Sequence, residues 1–405
     1  MPRMWDAGDS PLMPQIEEFT VDTDREVDVE FLRYDAAATR AHAEMLHKLG
    51  FLSADEMATL NHAFDQLDYL IKRGDLKIGE HDEDCHSTIE NFLVRNAGEV
   101  GMKVHLFRSR NEQILNAVRM FCREHLAKIA ASASTLAQTF KNLARRYEKT
   151  PLPGYTHTQR AMPTTLGLWL GSFAEMLQDD VEFLEFVMRR LDRCPLGTGA
   201  GFGAPGPVDR QFLAQKLGYS AIEENALACQ SGRPKETQLV LAALAQTAAT
   251  CAKFANDALL FACEEFGFLT LDDRFTTGSS MLPNKRNYDV FEMVRAKSAR
   301  VEAMLVEVML LGRGLISGYH RDFQFLKEPL VRAVRDVEAT LEVLQLCVPQ
   351  IHFNEERLKA VCEDENMQAV HKAVELATRE GIPYRRAYFT IKQQLRRKPK
   401  PEAKE

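Results

Sequence analysis

Apolar residues recur at three- and four-residue steps through several very long stretches of this chain, and that pattern limits the folds open to it. From about Asn111 to Arg146, the positions Ile114, Val118, Phe121, Leu126 and Ile129 fall on one helical face. A second run spans about Thr164 to Arg190, with Leu166, Trp169, Leu170, Phe173, Met176 and Leu177 as its apolar stripe. A third spans about Lys235 to Glu265. A fourth turns helical from Asn287, where Val290, Met293, Val294, Val301, Met304, Leu305 and Val308 keep the same steps. Long helices joined by loops carrying Gly and Pro predict a bundle. Alternating β-branched runs are scarce, so almost no sheet is expected. The fold class is read as all-α.

Shorter elements flank these runs. Residues 1–30 read as acidic and irregular, because Asp22, Asp24, Glu26 and Asp28 interrupt any apolar period. A helix begins near Phe31. Ser53 followed by Glu56 is a capping box for a helix over 54–73, and another helix is expected from about Ser87 to Asn96. Beyond Pro349 the helices shorten, one running from about Ala369 to Arg379 and ending at Gly381. The tail from Arg396 to Glu405 is charged, broken by proline and read as disordered.

Size and charge narrow the function classes. A chain of 405 residues exceeds one ordinary core, so two or three domains are expected. A formal charge of −7 argues against a nucleic-acid surface. No apolar stretch is long enough for a membrane span, and the first residues lack the apolar core of a signal peptide. The eight cysteines are scattered without paired spacing and the eleven histidines include no HExxH, so neither disulfides nor a metal or organic cofactor is expected. Reduced thiols make the cytoplasm the expected location.

Four stretches carry chemistry. Phe275–Glu292 holds Thr276, Thr277, Gly278, Ser279 and Ser280, poor helix formers, and then Lys285 and Asn287 where the fourth long helix begins. A hydroxyl-rich mobile loop running into a helix N-terminus, with an ammonium and an amide at the junction, suits a carboxylate whose negative charge grows during a reaction. Gly154–Arg160 puts His157 beside Thr156 where a loop meets the second long helix, either as a cap or as a proton carrier. Glu292 is a candidate to orient it. Arg108–Gln113 opens the first long helix with Ser109, Arg110 and Asn111, either a charged first turn or a two-pronged carboxylate clamp. Tyr319–Pro329 closes the fourth helical region and gathers Tyr319, Gln324 and Lys327, either a polar surface or a grip for an amino-acid headgroup. The glycine-rich run Gly197–Gly203 lacks a strand before it and a βαβ frame, so it is a turn between helices and not a dinucleotide loop.

Taken together, these stretches resemble the argininosuccinate lyases of the fumarase/aspartase superfamily. The loop resembles GSSxMPxKxNxxxxE, with Leu282 where Met is usual. Glu83–His86 resembles EDxH, Arg108–Gln113 resembles RSRNDQ, Gly154–Arg160 resembles GYTHLQR, and Tyr319–Pro329 resembles YNRDxQEDKEP. The similarity runs in order from Asp24 to about Ala387. It implies a three-domain fold with a central helix bundle (1–108, 109–350 and a short 351–405) in a homotetramer whose active sites are shared among three subunits. It implies a carbon–nitrogen lyase that cleaves argininosuccinate to arginine and fumarate by anti β-elimination through an aci-carboxylate. In the implied roles Ser279 takes the Cβ proton, Lys285 and Asn287 stabilise the intermediate, and His157, oriented by Glu292, serves the leaving nitrogen. Ser109, Arg110, Asn111 and Thr156 hold the fumarate-side carboxylates. Tyr319, Gln324 and Lys327 hold the amino-acid part, and Thr39 stands where a substrate-binding Ser is usual.

The departures bear on specificity. Leu106-Phe107 replaces Thr-Gly beside the clamp, and Phe325-Leu326 replaces an acidic pair. A related lyase acting on another N-substituted aspartate, or a non-catalytic structural homologue, are the alternatives. Retention of Ser279, Lys285, Asn287, His157 and Glu292 argues against the scaffold.

Overall fold

The computed structural model describes residues 13–79 and 82–397. The described chain opens with α1 (Pro14–Val21) and α2 (Asp24–Val27), followed by a 3-10 turn over Asp28–Phe31 and α3 (Leu32–Lys48). Next come α4 (Ala54–Arg73), α5 (Cys85–Ala97), α6 (Glu99–Met102) and the first long helix, α7 (Arg110–Arg146). Strands β1 (Pro151–Thr156) and β2 (Gln159–Thr165) precede α8 (Leu166–Leu191). After β3 (Arg193–Cys194), α9 (Arg210–Lys216), β4 (Ala221–Ile222) and α10 (Ala226–Ser231) comes α11 (Arg233–Ala262). Strand β5 (Leu269–Leu271) leads to α12 (Asp289–Leu311) and α13 (Lys327–Cys347). The chain continues through β6 (Ile351–Phe353), α14 (Glu355–Cys362), α15 (Ala369–Glu380) and α16 (Tyr384–Arg397). The strands form three two-stranded pairings, β1–β2 and β5–β6 antiparallel and β3–β4 parallel, so the all-α reading holds.

The chain divides into two compact units. The first takes the described residues up to Ala130, Glu182–Gln246 and Ala299–Val337, and the second takes Ala131–Val181, Thr247–Ser298 and the described residues from Glu338. Each of the five long helices contributes residues to both. In the first unit Phe31, Tyr34 and Phe121 pack edge to face, and Leu46, Leu60, Phe64 and Leu67 are fully buried. In the second, Trp169 meets Phe173, Phe254, Phe261 and Phe353 with ring centroids 5.2–6.2 Å apart, a cluster that stabilises beyond its buried area alone.

Local signals placed several ends well. Ser53 and Glu56 form the capping box, Ser53 N–H donating to Glu56 Oε2 at 2.8 Å and Glu56 N–H to Ser53 Oγ at 3.2 Å. Gly381 ends α15 in the left-handed conformation.

Four expectations need correction. The described residues before Phe31 are helical, because Asp24 and Asp28 turn inward to a lysine instead of facing water. Gly154–Arg160 is a hairpin and not a loop meeting a helix. Thr156 pairs with Gln159, and His157 and Thr158 both have positive φ (53° and 59°), the requirement of a two-residue turn between right-twisted strands. Prolines 151, 153 and 163 hid these strands from a pattern reading; a two-stranded ribbon tolerates them because each strand has an open edge. The fourth long helix starts at Asp289, two residues after Asn287. It ends at Leu311, so Tyr319–Pro329 does not close it but leads through a 3-10 turn into a fifth long helix, α13. Pro329, in its first turn, is where a missing N–H is harmless. Arg396 and Arg397 end α16, whereas the rest of the tail (398–405) lies outside the described residues.

Candidate active site

The candidate residues fall into two sets, one in each unit. In the first unit, Arg110, Asn111, Tyr319, Gln324 and Lys327 line a cleft of about 250 Å³, together with Asp24, Asp28, Glu83, Asp84, Arg233 and Arg321. Helix α2, the first turns of α7, α11 and α13, the 3-10 turns at Asp28–Phe31 and Arg321–Leu326, Tyr319 just before the latter, and the loop before α5 present these groups.

Lys327 is buried, its Nζ 2.5 Å from Asp28 Oδ1 and 2.7 Å from Asp24 Oδ1. Burial would lower its pKa, but the two aspartates raise it, so the ammonium is fixed as a cation. Burial pushes the Asp24 carboxyl up to about 6 against the pull of Lys327. Arg110 is ion-paired with Asp84 and, at 3.3 Å, with Glu83; Arg321 approaches the other Glu83 oxygen at 2.6 Å. Burial alone would raise Glu83, yet the two guanidinium groups hold it below the usual carboxylate range. Gln324 Nε2 donates to the carbonyls of Thr20 (3.0 Å) and Val21 (2.8 Å). Ser109 Oγ accepts the Asn111 N–H at 3.3 Å, a cap on α7.

Thr39 is not part of this cleft. It is buried, its Oγ1 accepting from Arg108 Nη1 at 2.9 Å, and it lines a cavity of about 20 Å³ with Arg108, Gln113 and His86, the last of which also lines the cleft. There His86 Nδ1 lies 2.8 Å from the fully buried Asp35. Asp35, Cys85 and His86 also have ligand atoms close enough together to surround one cation.

The second unit holds Thr156, His157, Ser279, Lys285, Asn287 and Glu292. Thr277 and Asn287 exchange backbone hydrogen bonds (3.0 and 2.8 Å) and close the serine loop into a small ring. Asn287 Nδ2 donates to the Gly278 carbonyl at 3.2 Å. Inside the ring Ser279 Oγ accepts the N–H of Met281 at 3.2 Å and of Leu282 at 3.0 Å. Lys285 is exposed, as are His157, at the hairpin tip, and Glu292, on the first turn of α12. Among the described residues no hydrogen bond joins His157 to Glu292.

Sequence reasoning did not nominate Asp24, Asp28, Glu83, Asp84, Arg233 or Arg321 as site residues. Arg233 carries no local signal at all, being one arginine at the start of one helix.

A family model described as Lyase matches residues 14–303. The argininosuccinate lyase of Thermotoga neapolitana is 37% identical over 389 residues, covering 96% of this chain and 97% of that protein. The argininosuccinate lyase of Sorangium cellulosum is 40% identical, covering 99% and 92%. Among solved structures, EDDS lyase in complex with formate superposes with a TM-score of 0.82 at 24% identity, over 95% of this chain and 76% of that one. Class II fumarase from Schistosoma mansoni gives 0.78 at 16% identity, over 92% and 88%. The two structures establish the fold, and the curated relatives establish the branch. The chain belongs to the argininosuccinate lyase family of carbon–nitrogen lyases.

Proposed function

We propose that this enzyme cleaves argininosuccinate to arginine and fumarate by anti β-elimination through an aci-carboxylate. The observation that carries the reading is Ser279, whose Oγ accepts two main-chain N–H groups. A serine hydroxyl is a poor base in water. Two donors aimed at its oxygen favour the anion, which takes the Cβ proton. Lys285 and Asn287 then meet the charge that builds on the carboxylate two bonds away. His157, at a hairpin tip, serves the leaving nitrogen, with Glu292 orienting it.

Ser109, Arg110, Asn111 and Thr156 hold the carboxylates that become fumarate; Tyr319, Gln324 and Lys327 form the arginine end. The two sets work together in sites shared by the subunits of a homotetramer. Exposed apolar residues on the long helices (Leu168 and Phe186 on α8; Met293, Val306, Met309 and Leu310 on α12) support such association. The loss of acids at positions 325 and 326 does not count against a cationic leaving group. Leu326 is buried and Phe325 is not among the cleft residues, whereas Asp24, Asp28, Glu83 and Asp84 line the cleft.

The test follows fumarate absorbance when purified enzyme is given argininosuccinate, with Ser279→Ala alongside. Release by the wild type and none by the variant is expected. Silence of the wild type on argininosuccinate, with release from another N-substituted aspartate, would move the substrate. Equal release by both proteins would remove Ser279 from the mechanism.

A further inference from the structure

Phe107 stands at φ 65°. The left-handed region disfavours a bulky side chain, so an aromatic residue found there is held by what surrounds it. Its ring meets Phe51, in the turn between α3 and α4, edge to face with centroids 5.1 Å apart. The ring also lies against Gly206, in the loop between β3 and α9, so closely that a Cβ on Gly206 would overlap it. One residue earlier, the buried His42 donates from Nε2 to the Leu106 carbonyl at 2.8 Å. Neither Phe107 nor any of these partners lines the cleft. The chain reverses at this point: the Arg108 N–H returns to the His105 carbonyl at 3.1 Å, and Arg110, three residues after Phe107, opens α7. Glu112, in the same first turn, takes the N–H groups of Gly197 and Gly199 from the loop that carries Gly206. Residues 108–111 are thereby pinned to one loop from both ends.

We propose that Phe107 is a positioning residue for the carboxylate clamp: its ring, lodged against Phe51 and Gly206, fixes the angle at which Arg110 and Asn111 enter the cleft. The inference rests on the clamp role given to those two residues above. A grip on a carboxylate through paired donors tolerates little misplacement, and a shift of about 1 Å is costly. Glycine would satisfy φ 65° without strain, but it would leave the turn with no anchor at this position. The strain that Phe107 carries is offset by the ring contacts that make the turn rigid.

The test compares the wild type with Phe107→Gly, Gly206→Ala and the double variant. Phe107→Gly removes the anchor and keeps the turn, whereas Gly206→Ala keeps Phe107 and pushes its ring away. Calorimetric titration with fumarate is expected to show binding about tenfold weaker in each single variant, the value of one charge-assisted hydrogen bond. Steady-state fumarate release is expected to show the same rise in KM with kcat within about twofold, because a grip made equally on substrate and transition state moves KM alone. Partial unfolding would instead lower the apparent kcat and spare KM. With the ring gone, a methyl at position 206 meets no aromatic edge, so the double variant is expected to match Phe107→Gly and not to multiply the losses. Should one single variant fail to fold, the other carries the test. Unchanged fumarate affinity in either folded single variant overturns the proposal, as do losses that multiply in the double variant or a wild type that binds no fumarate. Fumarate affinity that follows Phe107, without release from argininosuccinate, sinks the reaction alone. Release with an affinity indifferent to both variants sinks the positioning role alone.

Discussion

Glu112 holds Gly199: the carboxylate Oε2 accepts the Gly199 N–H at 2.7 Å, and the same oxygen takes the Gly197 N–H at 2.8 Å. The first turn of α7, which carries Arg110 and Asn111 and is capped by Ser109, is thereby tied to the glycine-rich loop. Gly199 sits at φ 58°, and a Cβ there would lie 2.6 Å from the Gly203 carbonyl oxygen. Gly199→Ala should therefore destabilise the protein by about 1–3 kcal/mol in chemical denaturation. Gly203, at φ 88° with nothing within 4 Å of an added Cβ, is the control, and its alanine variant should lose less. Equal losses would mean that backbone strain alone, and not the close approach, sets the requirement for glycine at 199.

His157 stands at φ 53° in a two-residue turn and is exposed, so its side chain has no part in the core. Asparagine tolerates the left-handed region better than most residues. His157→Asn should leave the melting temperature within about a degree and lower kcat by about 10²–10⁴, the usual weight of one proton-transfer group. Steady-state fumarate kinetics decide it. Unchanged kcat would make the residue a turn former only.

What the sequence disclosed follows from range. The long helices and the Ser53–Glu56 cap are written in residues three or four apart, and each was legible because those residues also touch in space. The serine loop was legible as a motif, but the ring closed by Thr277 and Asn287 was not, because its two ends lie ten positions apart in sequence. Asp24 and Asp28 read only as breaks in an apolar period, since their partner Lys327 lies about three hundred positions away. The β1–β2 hairpin was missed for a local reason: its strands carry three prolines and do not alternate.

Arg119 is 1% exposed in the first unit, with Nη2 2.5 Å from Glu236, 3.0 Å from Glu223, and Nη1 donating to the Arg193 carbonyl at 2.6 Å. Removing one partner of a buried pair strands the others. Arg119→Met should lose about 3–5 kcal/mol by urea denaturation, and adding Glu236→Leu with Glu223→Gln should recover most of it. A loss below about 1 kcal/mol in the single variant would show that water reaches the carboxylates when the arginine is gone.

Asp180, on α8 in the second unit, presents the opposite case, a buried carboxylate without a cation. It is 8% exposed and its Oδ2 has no hydrogen-bond partner. Burial pushes its carboxyl from 3.8 up to about 6; Asp179 adds to this and a hydrogen bond with Thr250 opposes it. The folded protein thus binds this proton more tightly than the unfolded chain does. The resulting stability is fully present below about pH 4 and is lost as pH rises through about 6, because the folded state must then bury a charge. Asp180→Asn keeps the shape and removes the charge. At pH 8 the variant should be more stable than the wild type by about 2–3 kcal/mol, from 1.36 kcal/mol per pKa unit, and the difference should vanish near pH 4. Urea midpoints measured for both proteins from pH 4 to 8 test this. A gap that does not change with pH would mean that Asp180 is ionised throughout and already has its counter-charge in the assembled enzyme.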